Sequence, residues 1–284
     1  MKTATKELID LLHGSDEFQM ADLYTITLSG GQVLRHTGAD MPVVWDGQTY
    51  GAHELIIKRG ATRIAVGLDV DSNTLQISAA PDYRLEDLQW AEAALGGVLD
   101  GARVKIDRVF FDAELRPVGA VNIFSGRVSD VSGSRSSVKV DVKSDIELLN
   151  VSSPRNIYQA GCMRTLYDDG CKVNREKFTV NGRVTENSQT GTVLKHNLTQ
   201  PDGWFSQGVI KFTSGRNAGW SRTVKVHSGN TFEFALRLPF PPQAGDVFKV
   251  YPGCNKRRDT CKDKFDNIVH FRGFPFIPSA DTVV

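Results

Sequence analysis

The four cysteines of this chain form two pairs, Cys162/Cys171 and Cys254/Cys261, and a run of short strand-like segments lies between them. Each pair opens on the same dipeptide, Gly161-Cys162 and Gly253-Cys254, and the chain has no other cysteine. Four sulfurs delivered two by two suit a tetrahedral thiolate site, for zinc or for an iron–sulfur cluster. Such a site would clamp the feet of the segment between the pairs, and closing a long loop restricts the unfolded chain most. The N-terminus lacks an apolar run followed by a small-residue cleavage site, so synthesis in the cytoplasm is expected. Thiols stay reduced there, which favours metal over disulfides. The alternative is four separate thiols acting as small hydrophobes. It stays open because the pairs enclose eight and six residues, not the two-residue knuckle of common zinc sites.

Charge and hydropathy remove several classes of function. Lys and Arg number 34 against 33 Asp and Glu, a formal net charge of +1 over 284 residues. That balance gives no electrostatic case for nucleic acid as the main partner. No apolar stretch is long enough to suggest a membrane span. The length suits one large or two modest domains.

Local patterning is mainly β. Thr5 can cap a short helix carrying Leu8, Ile9, Leu11 and Leu12, which Gly14 stops. Leu23–Leu28, the Ser29-Gly30-Gly31 turn and Val33–Arg35 read as a hairpin; so do Val43–Trp45, Asp46-Gly47 and Thr49-Tyr50. Thr74–Ser78, Val104–Val109 and Val138–Lys143 alternate at period two. Leu85, Leu88, Trp90, Ala91, Ala94 and Leu95 fall near helical spacing and predict one amphipathic helix ending at Gly96-Gly97. Between the cysteine pairs, Gly191–Leu194, Gly208–Phe212, Arg222–Val226, Thr231–Phe234 and Asp246–Val250 read as five strands of a small barrel. The expectation is a mainly β chain: a barrel or sandwich body over residues 1–160 with one or two helices, a metal-stapled cysteine region over 161–175 and 251–284, and an inserted small β-barrel over 176–250.

No catalytic constellation stands out. His13, His36, His53, His196, His227 and His270 are scattered, without the i, i+4 pairing of a helical zinc protease, and there is no nucleophile elbow, P-loop or dinucleotide fingerprint. Gly126-Arg127 reads as a turn. Asp69, Asp71 and Asp168-Asp169 read as solvated loop carboxylates. Phe205 and Trp220 read as barrel core, while Trp204 stands between core and a stacking surface. The basic run Lys256-Arg257-Arg258, inside the second pair, is either a solvated loop or a counter-charge for an anionic centre.

The C-terminal motifs carry a resemblance. Gly253-Cys254-Asn255-Lys256, Asp259-Thr260-Cys261, Lys264-Phe265-Asp266-Asn267 and Phe271 through Pro278, with Gly208–Gly219 and Gly245–Phe248 upstream, resemble the tail-tip hub proteins of long-tailed phages and gene transfer agents. The resemblance implies a structural hub, not an enzyme, that joins the distal tail protein and tail tube to the central tail-tip protein in the virion. It implies a homotrimeric ring. It also implies a four-iron cluster on Cys162, Cys171, Cys254 and Cys261, with zinc as the substitute. The competing function is a metal-dependent or cell-wall-acting tail enzyme, which would need an open metal position. The tail Phe271–Pro278 is too apolar for a free end, so Phe276 and Ile277 are expected against a neighbouring subunit.

Overall fold

The computed structural model describes residues 4–14, 18–61, 70–134, 137–151, 153–154 and 157–277. The chain divides into two compact units, Met1–Val151 and Ser152–Val284. Asp69 and Pro278, both named above, lie outside the described residues.

The first unit opens with α1 (Lys6–Gly14), whose Leu8 N–H reaches Thr5 Oγ1 at 3.4 Å and whose Leu8 side chain is fully buried. Its strands are β1 (Gln19–Thr27), β2 (Val33–Thr37), β3 (Val43–Trp45), β4 (Gln48–Tyr50), β5 (Leu55–Arg59), β6 (Ser72–Ala79), β7 (Arg84–Leu85), β8 (Leu88–Gln89), β9 (Arg103–Phe111), β10 (Pro117–Gly133) and β11 (Val138–Lys143). Seven form one antiparallel sheet in the order β2-β1-β9-β10-β11-β6-β5. Five strand spacings separate β1 from β5 in that order, about 24 Å if the sheet were flat. Yet Arg59 Nε of β5 lies 2.9 Å from Asp22 Oδ2 of β1, so the sheet curls round until its far strand meets its near one. Arg108 Nε holds the other oxygen of Asp22 at 2.8 Å. Leu23, Val43, Tyr50, Val109 and Phe111 pack together inside.

Two readings of this unit need correction. The helix expected from Leu85 is shorter: α2 covers only Trp90–Leu95, and Leu85 and Leu88 pair in the β7–β8 hairpin. Glu86 and Asp87 form its turn with φ of 51° and 64°, left-handed geometry that breaks a helix. Gly126 is not a turn residue but lies inside β10. A Cβ there would come 2.3 Å from the Lys143 carbonyl oxygen on the neighbouring strand, so the close approach itself requires glycine.

The second unit holds α3 (Arg175–Phe178) and six strands: β12 (Val180–Arg183), β13 (Val193–Lys195), β14 (Val209–Phe212), β15 (Ser221–Ser228), β16 (Thr231–Phe234) and β17 (Val247–Tyr251). Their order is β12-β17-β14-β15-β16-β13, and a Val184–His196 bridge joins the two outer strands. The five segments expected between the cysteine pairs are all present as β13–β17. β12 is the sixth; it carries one apolar residue and so shows no alternation. The core is aromatic. Phe205, Phe212, Phe232 and Phe248 are fully buried, and Phe232 lies 4.0 Å from the His196 ring, 5.2 Å from His227 and 5.7 Å from Phe205. Trp204 packs partly against this core. Trp220, expected inside, is half-exposed with the Arg222 guanidinium 5.1 Å from its ring.

Candidate four-cysteine site

The two cysteine loops are built by local hydrogen bonds. In the first, the Asp168 carboxylate accepts from Thr165 N at 2.9 Å and Cys171 N at 2.5 Å, closing the turn that carries Cys171. Those backbone donors hold its carboxyl below the usual range, against a smaller burial effect. Asp168 is thus a loop brace, a role its Asp-Asp-Gly-Cys context could have suggested. Tyr167 donates to Pro252 O at 2.8 Å, and its ring meets Tyr251 and Phe265 edge-on at 5.5 and 6.4 Å. In the second loop, Cys261 sits on a single helical turn, Thr260–Lys264. Lys264 Nζ donates to Trp204 O at 2.6 Å and Gly253 O at 3.0 Å, anchoring that turn to the barrel.

Backbone bonds then join one loop to the other. Cys162 N donates to Lys256 O at 2.9 Å, Met163 N to Arg272 O at 3.2 Å and Asn267 N to Cys261 O at 2.9 Å. As a result Cys162, Cys171, Cys254 and Cys261 line one cavity, together with His270, Leu166, Val173, Phe265, Arg164, Lys256 and Arg257. The cavity has a volume of about 20 Å³. All four thiols are free, and Cys261 is buried. The Cys261 thiol is pushed up to about 11, by burial first and then by Cys254, Cys162 and Cys171. Burial and the three neighbouring sulfurs therefore oppose ionisation of Cys261 unless positive charge stands among them. Three sulfurs face N–H groups: Cys254 faces Lys256 N at 3.3 Å, Cys162 faces Arg272 N at 3.4 Å and Cys171 faces Asn267 Nδ2 at 3.7 Å. Among the described residues, no group of three or more His, Cys, Asp or Glu side chains is arranged to hold a metal ion.

Residues 5–174 match the family model described as a baseplate hub protein, N-terminal attachment domain. The chain belongs to the baseplate hub protein family. Residues 203–281 of the hub also match a phage conserved hypothetical protein family, BR0599. In structure the hub is similar to a chain from a virion of a native gene transfer agent particle, with a TM-score of 0.73 and 26% identity, over 99% of the hub and 95% of that chain. No curated protein matches it. The hub is a tail component of a virion, as its C-terminal motifs implied. Among its described residues no helix is long and apolar enough to cross a membrane.

The rest of the hub supplies two features that sequence spacing did not reveal. His196 and His227 are 31 positions apart in the chain, yet their rings lie 5.3 Å apart inside the barrel. Each Nδ1 faces a backbone N–H, Leu198 at 3.2 Å and Phe205 at 3.4 Å. An Nδ1 that accepts leaves the proton on Nε2, and both Nε2 atoms are buried without a hydrogen-bond partner. Neither imidazole can then act as a metal ligand or base. The basic run of the second loop divides: Lys256 and Arg257 line the cysteine cavity, and Lys256 Nζ donates to Arg164 O, whereas Arg258 does not line it.

Proposed function

We propose that this hub is a non-enzymatic ring component of the tail tip, with a polynuclear iron–sulfur cluster held on Cys162, Cys171, Cys254 and Cys261. The convergence of all four cysteines on one cavity carries this reading. A single zinc draws four sulfurs to about 2.3 Å from one point. A four-iron cluster takes each cysteine on its own iron. Arg164, Lys256 and Arg257 supply the counter-charge that an anionic thiolate cluster needs. When bound, such a cluster supplies a covalent crosslink between the loops and the capacity to take up one electron.

Buried histidines in the barrel and an exposed apolar surface argue for a structural part. The two histidines that meet are sealed in the barrel core with the wrong tautomer for base catalysis. Apolar side chains remain outside instead: Tyr158 and Phe276 are 77% and 89% exposed, and Phe274 meets the Tyr158 ring edge-on at 4.5 Å. We take this surface as the contact between copies in a homotrimer, with the distal tail protein and tail tube on one side and the central tail-tip protein on the other. Residues 161–175 and 251–284 then form the metal-site region that clamps the barrel of 176–250. Immunogold labelling of particles should place the protein at the tail tip, and particles lacking its gene should have defective tails. Normal tails without the protein would overturn the assignment of a hub role.

A further inference from the structure

Two residues tie a cysteine of the first pair to a cysteine of the second. Lys256 does so with its backbone alone, through Cys162 N and Cys254 Sγ. Asn267 does so for the other two cysteines and brings a side chain. Its Nδ2 donates to Cys171 O at 2.6 Å and lies 3.7 Å from Cys171 Sγ. Its backbone N donates to Cys261 O at 2.9 Å, and its carbonyl oxygen accepts from Cys261 Sγ at 3.2 Å. The amide orientation is fixed chemically, because a carbonyl oxygen only accepts and so must face the NH₂ group. Among the described residues this is the one side-chain amide beside a cysteine sulfur; the donors to Cys162 and Cys254 are backbone.

We propose that Asn267 is the positioning residue that tunes this centre, holding Cys171 as a ligand and raising the reduction potential through Nδ2–H···Sγ. The proposal rests on the iron–sulfur reading above. A hydrogen bond to a ligand sulfur stabilises the more electron-rich, reduced form. Losing an outer-shell partner of this kind typically costs 10–100-fold in metal affinity.

The experiment compares full-length wild type, Asn267→Asp and Asn267→Leu, purified without oxygen. It measures iron loss to a chelator and the midpoint potential of the bound centre against an external electrode. Asp keeps the shape but turns the donor into an acceptor facing both the Cys171 carbonyl and the sulfur. Leu removes the donor without adding charge and serves the same comparison should the Asp variant not fold. Both variants should lose iron 10–100-fold faster, with a midpoint moved to more negative values. A purely structural role would speed iron loss while leaving the midpoint of the remaining loaded fraction in place, which overturns the proposal. Loaded variants that match wild type in both readouts overturn it alone. Wild type that takes up no iron overturns the parent reading and this one with it.

Discussion

Acid should unfold the C-terminal barrel through its buried histidines. His196 is 1% exposed, and its value falls from 6.5 to about 4, by burial first and then by the neighbouring His227. His227 is lowered too, chiefly by burial. The direction follows from linkage. A group whose folded-state value is depressed below its unfolded one binds protons mainly in the unfolded chain once pH drops below 6.5, so stability falls until the pH reaches the folded value. For His196 alone the two values give a loss of about 2 kcal/mol by pH 5 and about 3 kcal/mol by pH 4. For a unit of this size, 2 kcal/mol lowers the melting midpoint by roughly 6–10 °C. Urea titrations read by pulsed hydrogen exchange resolve peptides of β13–β16 from those of the first unit. His196→Phe keeps a ring against Phe232 and removes the titration. It leaves Leu198 N without its acceptor, a cost of about 1 kcal/mol at every pH. The variant should be less stable at pH 7.5 and lose most of the slope toward pH 5. A barrel midpoint that does not move between pH 7.5 and pH 5 in wild type, or moves equally in His196→Phe, would refute the reasoning.

Other perturbations have comparably direct readouts. Phe232→Ala empties the centre of the aromatic core and should cost the barrel about 3–5 kcal/mol in urea unfolding. Asp22→Asn should cost the first unit about 2–4 kcal/mol, because two guanidiniums lose their shared carboxylate. Burial raises the Asp22 carboxyl, but Arg108 and Arg59 outweigh it and hold the group below 3.8; its contribution is present above that pH and should fade only below it. Truncation after Arg272 keeps the bonds from Arg272 to Met163 and Cys162 but removes Phe274, Phe276 and Ile277. The shortened protein should keep its thiol cavity and fail to complement tail assembly.

Much of this fold is legible because a half-buried strand writes its burial into alternation. Val138–Lys143 reads as a strand and is one, with Val138, Val140 and Val142 buried. The misreadings have physical causes. Leu85 and Leu88 fall at helical spacing, yet Glu86-Asp87 between them make a two-residue turn. β10 carries Gly126 because a neighbouring carbonyl leaves no room for Cβ, and a glycine there imitates a turn. Gly182 hides β12 in the same manner, since its missing side chain makes way for the Phe248 ring. At the site, the four cysteines are legible as a set because their types and pairing are distinctive. Asp168, Tyr167 and Asn267 are not, since they act through loop backbone and ring contacts that leave no period in the sequence. The His196–His227 pair is equally silent, because it forms only when the barrel brings non-adjacent strands together.

The central claim is that four cysteines from two separated loops hold one iron–sulfur centre in a tail-tip hub. Its most direct test is iron and acid-labile sulfide content, with the visible absorption spectrum, on protein purified without oxygen, for wild type and for the Cys162→Ser/Cys261→Ser variant. Wild type should carry iron and sulfide in about equal amounts with broad absorbance near 400 nm, as expected of iron–thiolate charge transfer, and the variant should lose all three together. Wild-type protein with four titratable thiols and no iron, or a variant that keeps its full iron content, would contradict it.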